Sequence, residues 1–238
     1  MTQIDIFSGF LGAGKTTLIR KLIQEAYRGE KLVLIENEFG DIAIDGGFLQ
    51  DAGIQITEMN SGCICCTLVG DFTKALKQVI DEYAPDRILI EPSGVGKLSD
   101  VAAAVERVDE AKVGTKVTVV DAGKAKMYAR NFGEFFDDQV RSADLIVLSR
   151  SDTTGEKKLL EAVELLKSMN PEAGLITTPW SALNGLQIRE AMQKNGLRAE
   201  MEALKEAHEH GHCGHHHHHH DEDDDHECCH HHHHDHDD

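Results

Sequence analysis

The chain has 238 residues with 42 acidic and 24 basic side chains, a net charge of −18. That balance repels phosphate backbones and anionic lipid surfaces, which argues against nucleic acid and membrane partners. No apolar run approaches the ~18 residues of a membrane span, and Met1 to Phe7 lacks the basic and apolar regions of a signal peptide. The expectation is a cytoplasmic protein whose six cysteines are thiols or metal ligands rather than disulfides.

Ile4–Ser8 reads as a strand. It runs into Gly9-Phe10-Leu11-Gly12-Ala13-Gly14-Lys15-Thr16, a full match to the phosphate-loop pattern G-x-x-x-x-G-K-[ST]. Glycines let such a loop curl so that its backbone N–H groups point at an anion, and the helix that follows adds its positive end. The reading gives Gly12, Ala13, Gly14, Lys15, Thr16 and Thr17 to the phosphates, with Lys15 on the β- and γ-phosphates and the Thr16 hydroxyl on Mg²⁺. The bland alternative is a glycine-rich turn with an exposed lysine. Thr16–Arg28 follows as a helix with Leu18, Ile19, Leu22, Ile23 and Ala26 on one face and Gly29 as its stop.

Lys31–Ile35 reads as a second strand. The segment after it, from Glu36 to Gly47, is dense in carboxylates and glycine. It has the composition of a nucleotide-responsive switch, with Glu38, Asp41 and Asp45 as candidates; each alone also reads as a solvated loop acid. Ile54–Met59 is a candidate strand, followed by Gly62-Cys63-Ile64-Cys65-Cys66. Three thiols within four residues, Cys63, Cys65 and Cys66, can supply two or three sulfur ligands to one cation, zinc by default and Co²⁺, Ni²⁺ or Cu⁺ as alternatives. Small buried residues under a loop and redox chemistry are the competing readings, and the spacing is not the C-x-x-C of redox sites.

Leu68–Tyr83 is helical and Pro85-Asp86 breaks it; Arg87–Glu91 is a buried-type strand. Glu91 ends that strand before Pro92-Ser93-Gly94, where a carboxylate can hold Mg²⁺ and the Gly94 N–H can sense a γ-phosphate. Lys116–Val120 and Asp144–Leu148 read as further strands. The second leads into Ser149-Arg150-Ser151-Asp152, in the place of the guanine motif [NT]-K-x-D. Asp152 would accept the guanine N–H groups and the Arg150 stem would cover the base, with Ser149 shorter than asparagine. After Gly155–Met169 as a helix and Gly174–Thr178 as a strand, Ser181 and Ala182 stand where a backbone N–H would contact the guanine oxygen; ATP is the alternative nucleotide. Ile188–Ala207 reads as a terminal helix interrupted near Gly196.

Alternating strands and helices imply an α/β fold: a mostly parallel P-loop NTPase sheet with helices on both faces. The expected organisation is a GTPase domain over 1–205 and a tail over 206–238. All 16 histidines lie at position 208 or later, and the last 33 residues carry 11 acidic residues and no Lys or Arg, more than half of the net charge. Imidazole, thiolate and carboxylate groups, among them His212, Cys213, Cys228 and Cys229, make the tail a metal-binding segment. It has too few apolar residues to offset the entropy of ordering and is expected to be disordered unless metal organises it. His215–His220 has the length of a purification tag, yet cysteines flank it and a second five-histidine run follows.

Phe10–Thr17 with the preceding Ser8-Gly9, Glu36–Gly40, Ser61–Cys66 and Ile90–Gly94 together resemble the CobW-type GTPases, relatives of the nickel-delivery GTPases HypB and UreG. The resemblance covers roughly 1–205. It implies a Mg²⁺-GTP site beside a thiolate metal site, with Lys15 and Thr16 serving phosphate and Mg²⁺, Glu91 the Mg²⁺ shell and Cys63, Cys65 and Cys66 the cargo. On this reading the C-terminal domain that many such chains carry is expected to be missing, the tail beginning near residue 206. The functional expectation is a slow GTPase, with no arginine finger evident, that hands a metal to a client metalloprotein or metal-cofactor enzyme. A homodimer dependent on nucleotide or metal is compatible with this. The rival readings are a metal store with a regulatory GTPase core and a small-molecule kinase, for which no arginine-rich lid is found.

Overall fold

A computed structural model of the chain describes residues 1–36, 55–56 and 69–195. The readings on Glu38, Asp41, Asp45, Cys63, Cys65 and Cys66, and on His212, Cys213, Cys228 and Cys229, lie outside the described residues. So does the expected disorder of the tail.

Among the described residues, seven strands form one parallel sheet: β1 (Thr2–Ser8), β2 (Leu32–Glu36), β3 (Gln55–Ile56), β4 (Arg87–Glu91), β5 (Ala111–Asp121), β6 (Leu145–Ser149) and β7 (Gly174–Ile176). Their order is β3-β2-β4-β1-β5-β6-β7, and every pairing is parallel. Parallel neighbours need crossovers, and the described ones are helical: α1 (Lys15–Glu25), α2 (Val69–Tyr83), α3 (Leu98–Val105), α4 (Ala125–Asn131), α5 (Gly133–Arg141) and α6 (Glu156–Met169). Among the described residues a further helix, α7, occupies 185–195.

The strands are apolar on both sides, and their two-residue period sorts the core into two layers. Ile4, Ile6, Ile88, Ile90, Ile146 and Leu148 pack on one side with Leu76 of α2, Val101 of α3, Val140 of α5 and Leu166 of α6. Phe7, Leu89, Leu145 and Val147 pack on the other with Leu18, Ile19 and Leu22 of α1 and with Ile188 and Met192 of α7. Each such fully buried aliphatic side chain contributes about 1.5–3 kcal/mol relative to exposure, which fixes the sheet as the frame for the loops at its carboxyl edge.

Several readings need correction. The helix expected at Thr16–Arg28 is Lys15–Glu25, ending before the Gly29 turn. The strand expected at Lys116–Val120 is longer, Ala111–Asp121, because its first half pairs with β1 across a register shift between Ile4 and Ile6. Of Ile54–Met59, the described strand is Gln55–Ile56. Helix α7 starts at 185, three residues before the expected Ile188. The helices α3, α4 and α5 fill stretches to which the sequence reading gave no element.

Candidate functional site

The loop between β1 and α1 passes the carboxyl ends of β4 and β5, where open parallel sheets place their ligands. Lys15 is 6 % exposed, and its Nζ donates to the Gly9 carbonyl at 2.9 Å and the Phe10 carbonyl at 3.4 Å. The same ammonium lies 3.8 Å from Glu91 Oε1. The Thr16 hydroxyl is 3.1 Å from both Glu91 oxygens. Sequence positions 75 residues apart thus meet at one point, because β4 lies beside β1 and both strands end at this edge. Hydroxyl and carboxylate oxygens are the donor set of a hard cation such as Mg²⁺, so Thr16 and Glu91 fit that ion. Thr17 is exposed at the start of α1, and Ala13 is 2 % exposed beneath the loop.

Gly94 lies on the phosphate loop. A Cβ added there would fall 2.6 Å from the Leu11 backbone nitrogen, so the close approach requires glycine. Phe10, inside the loop, stacks on Tyr128 of α4 with ring centroids 4.3 Å apart and an interplanar angle of 14°, and approaches Phe132 at 5.4 Å. The phosphate loop is thereby packed against α4 through an aromatic contact that the motif pattern does not encode.

The loop Ser149–Asp152, expected from the sequence to be the base loop, follows β6. Arg150 adopts φ 55, in the left-handed region, and its guanidinium is shared. Nη1 donates to Asp121 at 2.6 Å and Nη2 to the Gly12 carbonyl at 2.9 Å. Arg150 therefore ties the base loop to the phosphate loop. Asp121, which the sequence reading missed, ends β5 with 4 % exposure and also accepts the Gly123 N–H at 3.0 Å. Ser149 is 4 % exposed with its hydroxyl 3.5 Å from the Val120 carbonyl, inside the sheet edge, while Asp152 is exposed on the turn. Ser181 and Ala182 are exposed in the short 3₁₀ turn Trp180–Ala182. Trp180, the single tryptophan, donates Nε1 to the Leu148 carbonyl at 3.0 Å, and its ring edge lies 3.0 Å from where a Gly14 Cβ would be. The structure so brings the phosphate loop, the base loop and the 180–182 turn together at one end of the sheet.

Beyond Gly94, Lys97 Nζ pairs with Glu134 of α5 at 2.5 Å. That hydrogen bond raises the lysine above its ordinary pKa and lowers the carboxyl below its own. Among the described residues no helix is long and apolar enough to cross a membrane, and no group of three or more metal-ligating side chains occurs.

A family model described as CobW/HypB/UreG, nucleotide-binding domain, matches residues 3–177. The chain is 36 % identical over 202 residues to the zinc chaperone CobW of Sinorhizobium sp, covering 70 % of this chain and 56 % of the relative. It is 34 % identical over 157 residues to the zinc chaperone YeiR of Escherichia coli (strain K12), covering 65 % and 48 %. The chain thus spans about half the length of the curated relatives it matches. Among solved structures, Zn(II)-bound YjiA GTPase from Escherichia coli superposes with a TM-score of 0.60 at 24 % identity, over 82 % of this chain and 62 % of that one. HypB from Helicobacter pylori in complex with nickel gives 0.56 at 16 % identity, over 82 % and 89 %. At these identities the structural likeness is one of fold.

Proposed function

We propose, from the premise that this chain belongs to the CobW/HypB/UreG nucleotide-binding family, that it hydrolyses GTP and uses the nucleotide to control binding and hand-over of a transition metal. In this reading residues 1–205 are the GTPase domain and 206–238 a metal-binding tail. The observation that carries the nucleotide half is the meeting of Lys15, Thr16 and Glu91 at the mouth of the phosphate loop. Lys15 would turn from the loop carbonyls to the β- and γ-phosphates. Thr16 and Glu91 would hold Mg²⁺, which when bound supplies positive charge to the phosphate oxygens. Gly94 would direct its N–H at the γ-phosphate. Arg150, Asp152 and the Ser181-Ala182 turn would frame the guanine.

For the cargo, the relatives' names, zinc chaperone in each case, favour zinc over cobalt or nickel. Cys63, Cys65 and Cys66 are the ligands this reading assigns. The topology supports them: β3 runs parallel to β2, and β2 pairs with β4 up to Glu36 opposite Glu91. The chain therefore leaves Ile56 toward the phosphate edge, two strands from Glu91, or roughly 10 Å. Seven residues from Ile56 to Cys63 span at most about 24 Å, enough to return the thiols to that edge. The client would be a metalloprotein or a metal-cofactor enzyme, and the compartment the cytoplasm. A store is the second reading, favoured by a tail that gathers 16 histidines and three of the six cysteines.

The test is phosphate release from GTP and from ATP by the purified chain with Mg²⁺, alongside Lys15→Ala. GTP turnover that falls by about 100-fold in the variant is expected. Equal turnover of ATP would remove the guanine assignment, and unchanged turnover in Lys15→Ala would remove the site.

A further inference from the structure

Gln139 of α5 is 0 % exposed, a polar side chain sealed in the core. Its Nε2 donates to two carbonyls of the loop that follows Glu91, Gly94 at 3.1 Å and Gly96 at 3.0 Å. That loop is a tight turn, closed by the Gly96 N–H on the Ser93 carbonyl at 3.0 Å, and it rests on the phosphate loop at Leu11. A neutral amide offers two N–H donors to two carbonyls without burying a charge; a carboxylate would repel them and an alkyl chain would leave them without these donors. Neighbouring side chains of α5 grip the same stretch. Asp138 accepts the Ser99 N–H at 3.1 Å and the Ser99 hydroxyl at 2.5 Å, and Glu134 pairs with Lys97. The helix itself is fixed to the sheet, since the Thr118 hydroxyl of β5 donates to the Gln139 carbonyl at 2.6 Å.

One feature of Gln139 is unsatisfied. Its Oε1 is buried and finds no donor among the described residues. A buried acceptor without a donor is costly, so the present arrangement leaves something to gain.

We propose that Gln139 is the positioning residue of the γ-phosphate loop: it holds the Gly94 and Gly96 carbonyls so that the Gly94 N–H is aimed, and it carries the state of that loop to α5. This rests on the GTPase reading above. GDP has no γ-phosphate and does not engage the loop, so it serves as an internal control. A role in stability alone would weaken GDP and GTPγS together; a role in aiming Gly94 weakens GTPγS alone.

The experiment measures the affinity of the full chain for fluorescent GDP and, by competition, for GTPγS, both with Mg²⁺, in wild type, Gln139→Leu and Gln139→Glu. Both variants should bind GDP within about twofold of wild type and GTPγS about tenfold more weakly, the scale of losing one or two buried hydrogen bonds. Parallel loss of both ligands, or no loss of either, overturns the proposal. Should the variants not fold, amide hydrogen exchange on wild type decides. Residues 93–99 and 133–141 should differ together between the GTPγS and GDP complexes, and an unchanged 133–141 overturns it. A wild type that binds neither nucleotide overturns the GTPase reading and this proposal with it. Normal wild-type binding with indifferent variants overturns this proposal alone.

Discussion

The planar fork of the Arg150 guanidinium can serve two acceptors at once. One arm goes to Asp121 and the other to the Gly12 carbonyl. The side chain is 49 % exposed, so without Asp121 it would spread over many rotamers and reach Gly12 only part of the time. Asp121→Asn and Arg150→Ala should each weaken GDP binding by about tenfold, and the double variant should be no worse than the weaker single, a coupling near 1.4 kcal/mol. Additive losses would mean that the two residues act separately. Asp121 was legible in principle: it ends the β-branched run Val117–Val120 as Glu91 ends Ile88–Ile90. Gln139 was not, since its loop partners lie 45 and 43 residues away and no local pattern marks it. Gly9 makes a stability prediction. It sits at φ 135, and a Cβ there would fall 2.3 Å from the Val119 carbonyl oxygen. Gly9→Ala should cost about 3 kcal/mol in urea unfolding, as backbone must move to admit the methyl.

At the scale of elements, the parts legible in sequence were those with a single strong period: the apolar runs of β2, β4 and β6 and the one-sided stripe of α1. The short helices α4 and α5, of 7 and 9 residues, meet at Phe132 and Gly133 and span only about two to two and a half turns each. The first half of β5 was hidden for a different reason. Asp5 interrupts the apolar pattern of β1 and looks like a surface residue, yet it is 2 % exposed. It is satisfied by groups 22, 82 and 110 residues away: the Tyr27 hydroxyl at 3.0 Å, Arg87 Nη1 at 2.7 Å and the Thr115 N–H at 2.8 Å. Arg87 and Arg189 lie over the Tyr27 ring at 5.1 and 4.8 Å. The Asp5 carboxylate and burial together raise the Tyr27 hydroxyl well above its ordinary pKa, burial being the larger cause. This network ties α1 and α7 to the amino end of β4, away from the phosphate loop. Tyr27→Phe should therefore lower unfolding free energy by about 1–3 kcal/mol while leaving GTP turnover unchanged, and a fall in turnover with intact folding would contradict that separation.

For the whole molecule, the sheet order sets what can be coupled. Lys15, Glu91 and the exit of β3 share one edge, and α5 contacts the loop between them and the core. The tail is a separate matter of composition. Removing residues 208–238 should lower the number of zinc ions held per chain, measured by metal analysis after dialysis, and leave GTP turnover as it was; lost turnover would show the tail to be part of the GTPase. A ligand shifts a two-state protein only by its differential affinity for the two states, so hand-over of metal by GTP hydrolysis requires unequal zinc affinities in the two nucleotide forms. The direct measurement is zinc titration of the full chain loaded with GTPγS or with GDP, against a variant with Cys63, Cys65 and Cys66 replaced by serine to subtract the tail. The cysteine-dependent site should bind zinc about tenfold or more tightly in the GTPγS form; equal affinities in the two forms would contradict the coupling.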